Sequence, residues 1–207
     1  MTIRSATILG VLATLLAGCF SAQSNEYRFY VLDYVPETSK ERLAKGPWQG
    51  TILVRNFPMG EAYQRPELVY RTSAHEIRYH RRDRWAVRTD HVVSDMVRKH
   101  LLASKLFGRV QNQYEEDQPD YELRGRVVSL EEYVTETARY AHLDMHLDFI
   151  RMSDNKTLWS QDFDVRREIL GRTPVLTVRA LSSLLEATMD RAIGAIDSTM
   201  SAMERAP

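Results

Sequence analysis

Three long runs in the second half of the chain alternate apolar and polar residues, and this alternation constrains the fold more than any other feature. Tyr121, Leu123, Gly125 and Val127 share one face of the first run. Leu143, Met145, Leu147 and Phe149 share one face of the second, and Trp159, Phe163 and Val165 mark the third. Side chains of a strand point alternately to its two faces, so each run predicts a strand with one apolar side. Ser153, Asp154 and Asn155 supply turn chemistry between the second and third, which predicts antiparallel neighbours in a meander. Thr173-Pro174 then reads as a cap and a first helical residue. Leu181, Leu184, Thr188, Ala192, Ile196, Thr199 and Met203 recur at helical spacing and predict a long closing helix.

The first half is more broken. Tyr27 to Val35 is rich in aromatic and β-branched residues and stops at Pro36, predicting a strand. Residues 36–48 form a loop with two prolines, and Gln49 to Phe57 gives a second strand ended by Pro58. Glu61 to Arg65 suits one helical turn. Leu68 to Arg71 and Glu76 to Arg81 read as a hairpin. Asp90 to Phe107 is amphipathic, with Val93, Met96, Val97, His100 and Leu101 on one stripe, and Gly108 is placed to stop it. Arg109 to Gln113 follows as a strand. The expectation is an α/β fold, a mixed and partly antiparallel sheet flanked by two long helices, in one domain over residues 27–207.

Residues 1–18 stand outside that domain. Arg4 and the amino terminus precede an uncharged run, Ala6 to Leu16, too short for the roughly twenty apolar residues a spanning helix needs. A short apolar run behind a positive start reads as a signal peptide. The sequence Leu16-Ala17-Gly18-Cys19 resembles the lipobox of bacterial lipoproteins. That resemblance implies cleavage before Cys19, acylation of its thiol with groups such as palmitate, and anchoring to a membrane by the acyl chains. Several chains hold firmly where one is marginal. Phe20, in place of the aspartate typical of inner-membrane retention, implies the outer membrane. Residues 19–26 form a tether, and seven residues span at most about 25 Å. Cys19 is the only cysteine, so no disulfide forms within the chain and the fold rests on its core. Lys plus Arg and Asp plus Glu each number 28. That balance argues against nucleic acid, whose binding needs excess cations.

The stretch Tyr63 to Thr72, with Pro66 before a strand ending in Arg71, then Glu76 to Tyr79, then Arg84-Trp85-Ala86 leading into a helix, resembles the ABC-type transport auxiliary lipoprotein component family. Pro66, Arg71 and Trp85 carry the pattern, without an assigned chemical role. The turn from helix to strand at Leu106-Phe107 is similar to the TolB amino-terminal, anticodon-binding-like shape. The family resemblance implies an accessory outer-membrane lipoprotein of a mammalian-cell-entry type lipid transport system. Such a protein partners a periplasmic mammalian-cell-entry type protein and an ABC permease and ATPase complex, with its domain facing the periplasm.

The densest charge lies in Arg78, Arg81, Arg82, Arg84 and Arg88, which suits lipid head groups or an acidic partner. The plainer expectation is a wet strand side whose arginines pair with acids such as Glu115, Glu116, Asp117, Glu131 and Glu132. Trp85 is expected to plug the core. His142 and His146 would be about 13 Å apart on a strand, too far to share one ion. With Asp144 and Asp148 they are expected to form a solvated or partner-facing row. Ser153 to Lys156 imitates serine β-lactamase motifs but sits in a turn. No phosphate loop or nucleophile elbow occurs, so neither enzyme chemistry nor a cofactor is expected. Docking within a transport pathway is the expected function. The alternative is a lipid carrier or chaperone enclosing acyl chains beneath the closing helix. Leu185, Met189 and Ile193 flank that helix's main stripe, and they would equally serve a homo-oligomer.

Overall fold

The computed structural model describes residues 26–36, 47–115 and 117–205. The expected signal peptide, Cys19, most of the tether and Glu116 lie outside the described residues. The elements are β1 (Arg28–Tyr30), β2 (Trp48–Leu53), a 3-10 turn (Glu61–Tyr63), β3 (Glu67–Ser73), β4 (Glu76–Trp85) and α1 (Thr89–Ser104). They are followed by β5 (Phe107–Gln111), β6 (Tyr121–Val134), β7 (Arg139–Arg151), β8 (Lys156–Glu168) and α2 (Pro174–Arg205). All eight strands join one mixed sheet, which is the architecture expected.

β6 is the spine. One of its edges pairs antiparallel with β7 along its whole length, and β7 pairs antiparallel with β8, giving the meander. Its other edge is shared by three segments, all parallel to it: β2 at Tyr121 and Glu122, Met59 at Val127, and β3 at Glu132 and Tyr133. The Val127 amide donates to the Pro58 carbonyl at 2.9 Å, closing the gap between β2 and β3. β4 and then β1 extend the sheet beyond β3, and β5 extends it beyond β2.

A register slip between Val127 and Ser129 inserts one residue into β6. Such a bulge reverses which alternate residues face the core. Leu123 and Val127 are buried before it, and Leu130 takes the core face after it, opposite Leu143. Without the extra residue, Glu131 would be driven into the apolar layer. That layer lies between the sheet and both helices, and it contains Leu143, Met145, Leu147, Phe149, Val97, Leu101, Leu181, Leu185 and Met189. Gly125 is required there, because a Cβ would sit 2.3 Å from the Phe57 ring.

Several expected boundaries move. The first helix ends at Ser104 and is capped by Lys105 in the left-handed conformation (φ 55°), so Gly108 is not its stop and lies within β5. The following strand accordingly begins at Phe107, two residues before its expected start. β1 and β2 are shorter than expected, because the chain leaves the ladder at Val31 and again at Val54. β4 instead runs on through the arginine-rich stretch to Trp85. The turn at 152–155 and the helix start at Pro174 fall as expected.

Candidate functional site

Both helices lie on one face of the sheet, so the opposite face of β6, β7 and β8 is free of helix among the described residues. Alternation places Glu122, Arg124, Arg126, Glu131, His142, Asp144, His146, Asp148, Asp162 and Asp164 there. Two ionic clusters order this face.

The first centres on Glu131, whose side chain is 1% exposed. Its carboxylate accepts from Tyr63 Oη at 2.6 Å and from Arg71 Nε at 3.0 and 3.1 Å. Arg71 Nη2 also donates to Tyr63 Oη at 3.1 Å. His142 stands opposite Glu131 in the ladder and places Nδ1 at 3.1 Å from it, with Nε2 at 3.0 Å from Asp164. Burial alone would push the Glu131 carboxyl up. The hydrogen bonds from His142 and Tyr63, together with the Arg71 charge, outweigh it and hold the carboxyl below its ordinary range. Burial and the Glu131 bond push the Tyr63 phenol up.

The second cluster lines an open cleft of ≈ 420 Å³ formed with the segment after β2. Glu122, 1% exposed at its side chain, takes Arg55 Nη2 at 2.8 Å and Arg124 Nη2 at 2.7 Å. Burial raises the Glu122 carboxyl, but these two guanidiniums more than reverse the effect. On the cleft's rim His146 meets Asp162 at 2.7 Å and Asp148 at 3.1 Å. The Asp162 bond, against a burial effect that lowers it, keeps the His146 imidazole above its ordinary value. Burial and the neighbouring Asp164 charge raise the Asp144 carboxyl.

His142, Asp144, His146 and Asp148 share one face of β7, as expected, but not one environment. His146 and Asp148 are partly exposed, but His142 is buried at 6% because Glu131 and the Tyr63 turn close over it. Sequence reasoning missed Glu131 as the centre, since a bulge decides its face and nothing in the local pattern announces one. Arg71, singled out from a family pattern, is the cation that neutralises it. Trp85 is buried at 5%, and the Pro66 carbonyl accepts its amide at 2.7 Å. Of the arginines in β4 and just after it, three find partners close by. Arg78 pairs with Glu76, Arg84 with Glu67, and Arg88 with Asp90. Glu115 and Asp117 go to Arg109, Glu131 to Arg71, and Glu132 to Arg139. Arg81 and Arg82 are exposed.

Among the described residues, the space beneath the start of α2 is small. Between the sheet and the start of α2, beside Trp85, Leu130 and Leu181, the cavity is ≈ 10 Å³. Leu185, Met189 and Ile193 are 0%, 0% and 6% exposed, so the side chains expected to leave room are packed into the core. Among the described residues no helix is long and apolar enough to cross a membrane, and no group of three or more potential ligands is placed to hold a metal ion.

The fold is similar to that of a Xanthomonas campestris protein described as a DUF330 member, at 16% identity and a TM-score of 0.76, covering 86% of this chain and 99% of that one. A second similar structure, of an uncharacterised protein, has 11% identity and a TM-score of 0.66, with 83% and 99% covered. The PelC dodecamer from Paraburkholderia phytofirmans is a distant likeness at 12% identity and a TM-score of 0.41, with 69% and 90% covered. No curated protein matches. Residues 30–192 match the family described as ABC-type transport auxiliary lipoprotein component, which reaches from β1 well into α2 and takes in Pro66, Arg71, Trp85 and both ionic clusters, and the chain belongs to that family.

Proposed function

We propose that the protein is a non-enzymatic docking subunit. It is acylated at Cys19, held at the outer membrane with its domain facing the periplasm, and serves an ABC-driven pathway that moves lipid or another solute between the two membranes. Its direct partner would be a periplasmic conduit protein of the mammalian-cell-entry type. The observation that carries this reading is the face of β6 to β8 opposite the two α-helices, where buried Glu131 and Glu122 fix arginines and His142 in place beneath exposed Asp162 and Asp164. A charged plane ordered before contact loses little conformational freedom on binding a protein of complementary charge. The carrier alternative is disfavoured by the filled layer under α2, since ≈ 10 Å³ cannot hold an acyl chain.

The test is to solubilise fractionated envelopes mildly and identify what accompanies the protein. Recovery from outer-membrane fractions with a subunit of an ABC transport system is expected. Asp162→Lys with Asp164→Lys should abolish that recovery while leaving the protein in the same fraction. Stoichiometric lipid without a transport subunit would overturn docking, and transport undiminished in a Cys19→Ser strain would overturn the anchored role.

A further inference from the structure

The cleft beside β6 exists because the edge of the sheet is interrupted. β2 follows β6 as far as Leu53 opposite Glu122, and the chain returns to β6 at Met59 opposite Val127. Between these points the Val54 amide turns to the Gln111 carbonyl at 2.8 Å, and residues 54–57 detour around the edge. The opening of ≈ 420 Å³ is walled by Phe57 and Pro58 on that side and by His146 and Asp148 of β7 on the other. That is the size of a small-molecule site.

Its charges stand apart where the ladder would let them meet. Arg124 lies directly opposite Asp148, and Arg126 directly opposite His146. Opposite residues on neighbouring strands have Cβ atoms about 5 Å apart, where a cation and a carboxylate attract each other. Arg124 and Asp148 nevertheless do not pair. Arg124 turns along its own strand to Glu122 at 2.7 Å, and Asp148 uses Oδ1 to hold His146 at 3.1 Å. Arg126 is exposed in the cleft and forms no hydrogen bond or ion pair among the described residues, although its charge reaches Asp144. Arg55, Arg124, Arg126 and His146 stand against Glu122 and Asp148 in the lining, with Asp144 and Asp162 beyond it. Glu122 lies under two of the guanidiniums, so the remaining charge is divided, cationic along β6 and anionic along β7 and β8.

We propose that this cleft binds a zwitterionic phosphate ester of an amino alcohol, such as phosphoethanolamine, free or as the head of a larger molecule. The phosphate lies among Arg55, Arg124 and Arg126, and the ammonium reaches Asp148. Three features select this chemistry. An oxoanion with several oxygens accepts from several guanidiniums at once, and the arginine fork matches phosphate. Divided charge disfavours a simple anion, which Asp148 and Asp162 repel, and a simple cation, which the arginines repel. A two-carbon link between phosphate and ammonium spans about the 4.8 Å between neighbouring strands, so both charges of the ester are met across β6 and β7. Glu122 already orders Arg55 and Arg124, which lowers the entropy lost on binding. The cleft lies on the face proposed for docking, but binding of the ester does not rest on that reading.

The test is isothermal titration calorimetry on the chain from residue 19, with Cys19→Ser to keep it free of lipid. Phosphoethanolamine should bind about tenfold more tightly than glycerol phosphate, which lacks the ammonium, or ethanolamine, which lacks the phosphate. Arg126→Gln should weaken phosphoethanolamine about tenfold, the loss expected of one hydrogen bond to a charged group. Asp148→Asn should bring phosphoethanolamine down to the level of glycerol phosphate. Arg172→Gln, exposed beyond the end of β8, should change nothing, and thermal melting checks that each variant is folded. No binding of phosphoethanolamine, equal affinity for glycerol phosphate, or an Arg126→Gln chain that binds as the parent does would overturn the site. So would tighter binding of glutamate, which would give the cleft to a carboxylate. Dihexanoyl phosphatidylethanolamine separates the two sources. Affinity above that of phosphoethanolamine assigns the head of a lipid and affinity below it a soluble ester, and both uphold the site.

Discussion

Glu131 shows how one residue carries a disproportionate share of the stability. Its carboxylate is desolvated, and the guanidinium of Arg71 and the ring of His142 are ordered around it. Removing one member of a buried charge pair costs more than the pair itself contributes, because the other charge is left unmatched. Glu131→Gln keeps the side chain's shape, and urea unfolding should show a loss of about 3 kcal/mol. Arg78→Ala breaks an exposed pair with Glu76 and a hydrogen bond with Tyr70, and should leave the urea midpoint nearly unchanged. A steric case lies nearby. Gly125→Ala drives a methyl into the Phe57 ring and should cost about 1–3 kcal/mol, and Phe57→Leu added to it should recover part of the loss. The carboxyls also set the response to pH. Glu131 and Glu122 titrate below the ordinary 4.5 in the folded protein, so their contribution is present above that pH and is lost as pH falls through the lowered values. His146 titrates above the ordinary 6.5, so its contribution is present below that pH and disappears as pH rises through the raised value. The urea midpoint should therefore fall on both sides of pH 4.5–6.5. Glu131→Gln should flatten the acid side, and His146→Ala the alkaline side.

At the scale of elements, local chemistry was legible wherever it decided the outcome. The meander is written in period-two patterning, the 152–155 turn in Ser-Asp-Asn, and the start of α2 in Thr-Pro. Where long-range contacts decide, the pattern was silent. Lys105 adopts a left-handed cap because Leu106 is needed, fully buried, beneath the helices, which leaves Gly108 three residues too late to serve. Lys105→Gly should therefore raise stability by about 0.5–1 kcal/mol in thermal or urea unfolding, since a left-handed position strains any residue with a Cβ. The bulge at Val128 was equally hidden. It places Glu131 with His142 on the polar face and Leu130 with Leu143 on the apolar one, and only the partner strand shows the slip. Of the site, Arg71 and the two histidines could be named from sequence, but what they surround could not.

For the molecule as a whole, the sheet grades from a locked centre to open edges, and that gradient is measurable. β6 is paired with β7 along its whole length and, on its other edge, with β2, Met59 and β3 at separate points, and β7 is bonded to β6 and β8. β8 pairs only with β7, so among the described residues alternate amides along its 13 residues lack a strand partner. Protection from exchange follows the cost of opening each segment. Amide hydrogen exchange should leave 121–134 and 139–151 slowest, with about half of the β8 amides fast and 28–30 fast throughout. The central strands carry Glu122, Glu131, His142 and His146, so the base of the charged face proposed for docking rides on the last part of the sheet to open, with Asp162 and Asp164 on the looser edge. If β8 proved as protected as β6 and the isolated protein sedimented as an oligomer, its free edge would be covered by another chain. The protein would then dock as an assembly, and the face available to a conduit would be the sum of its copies rather than one sheet.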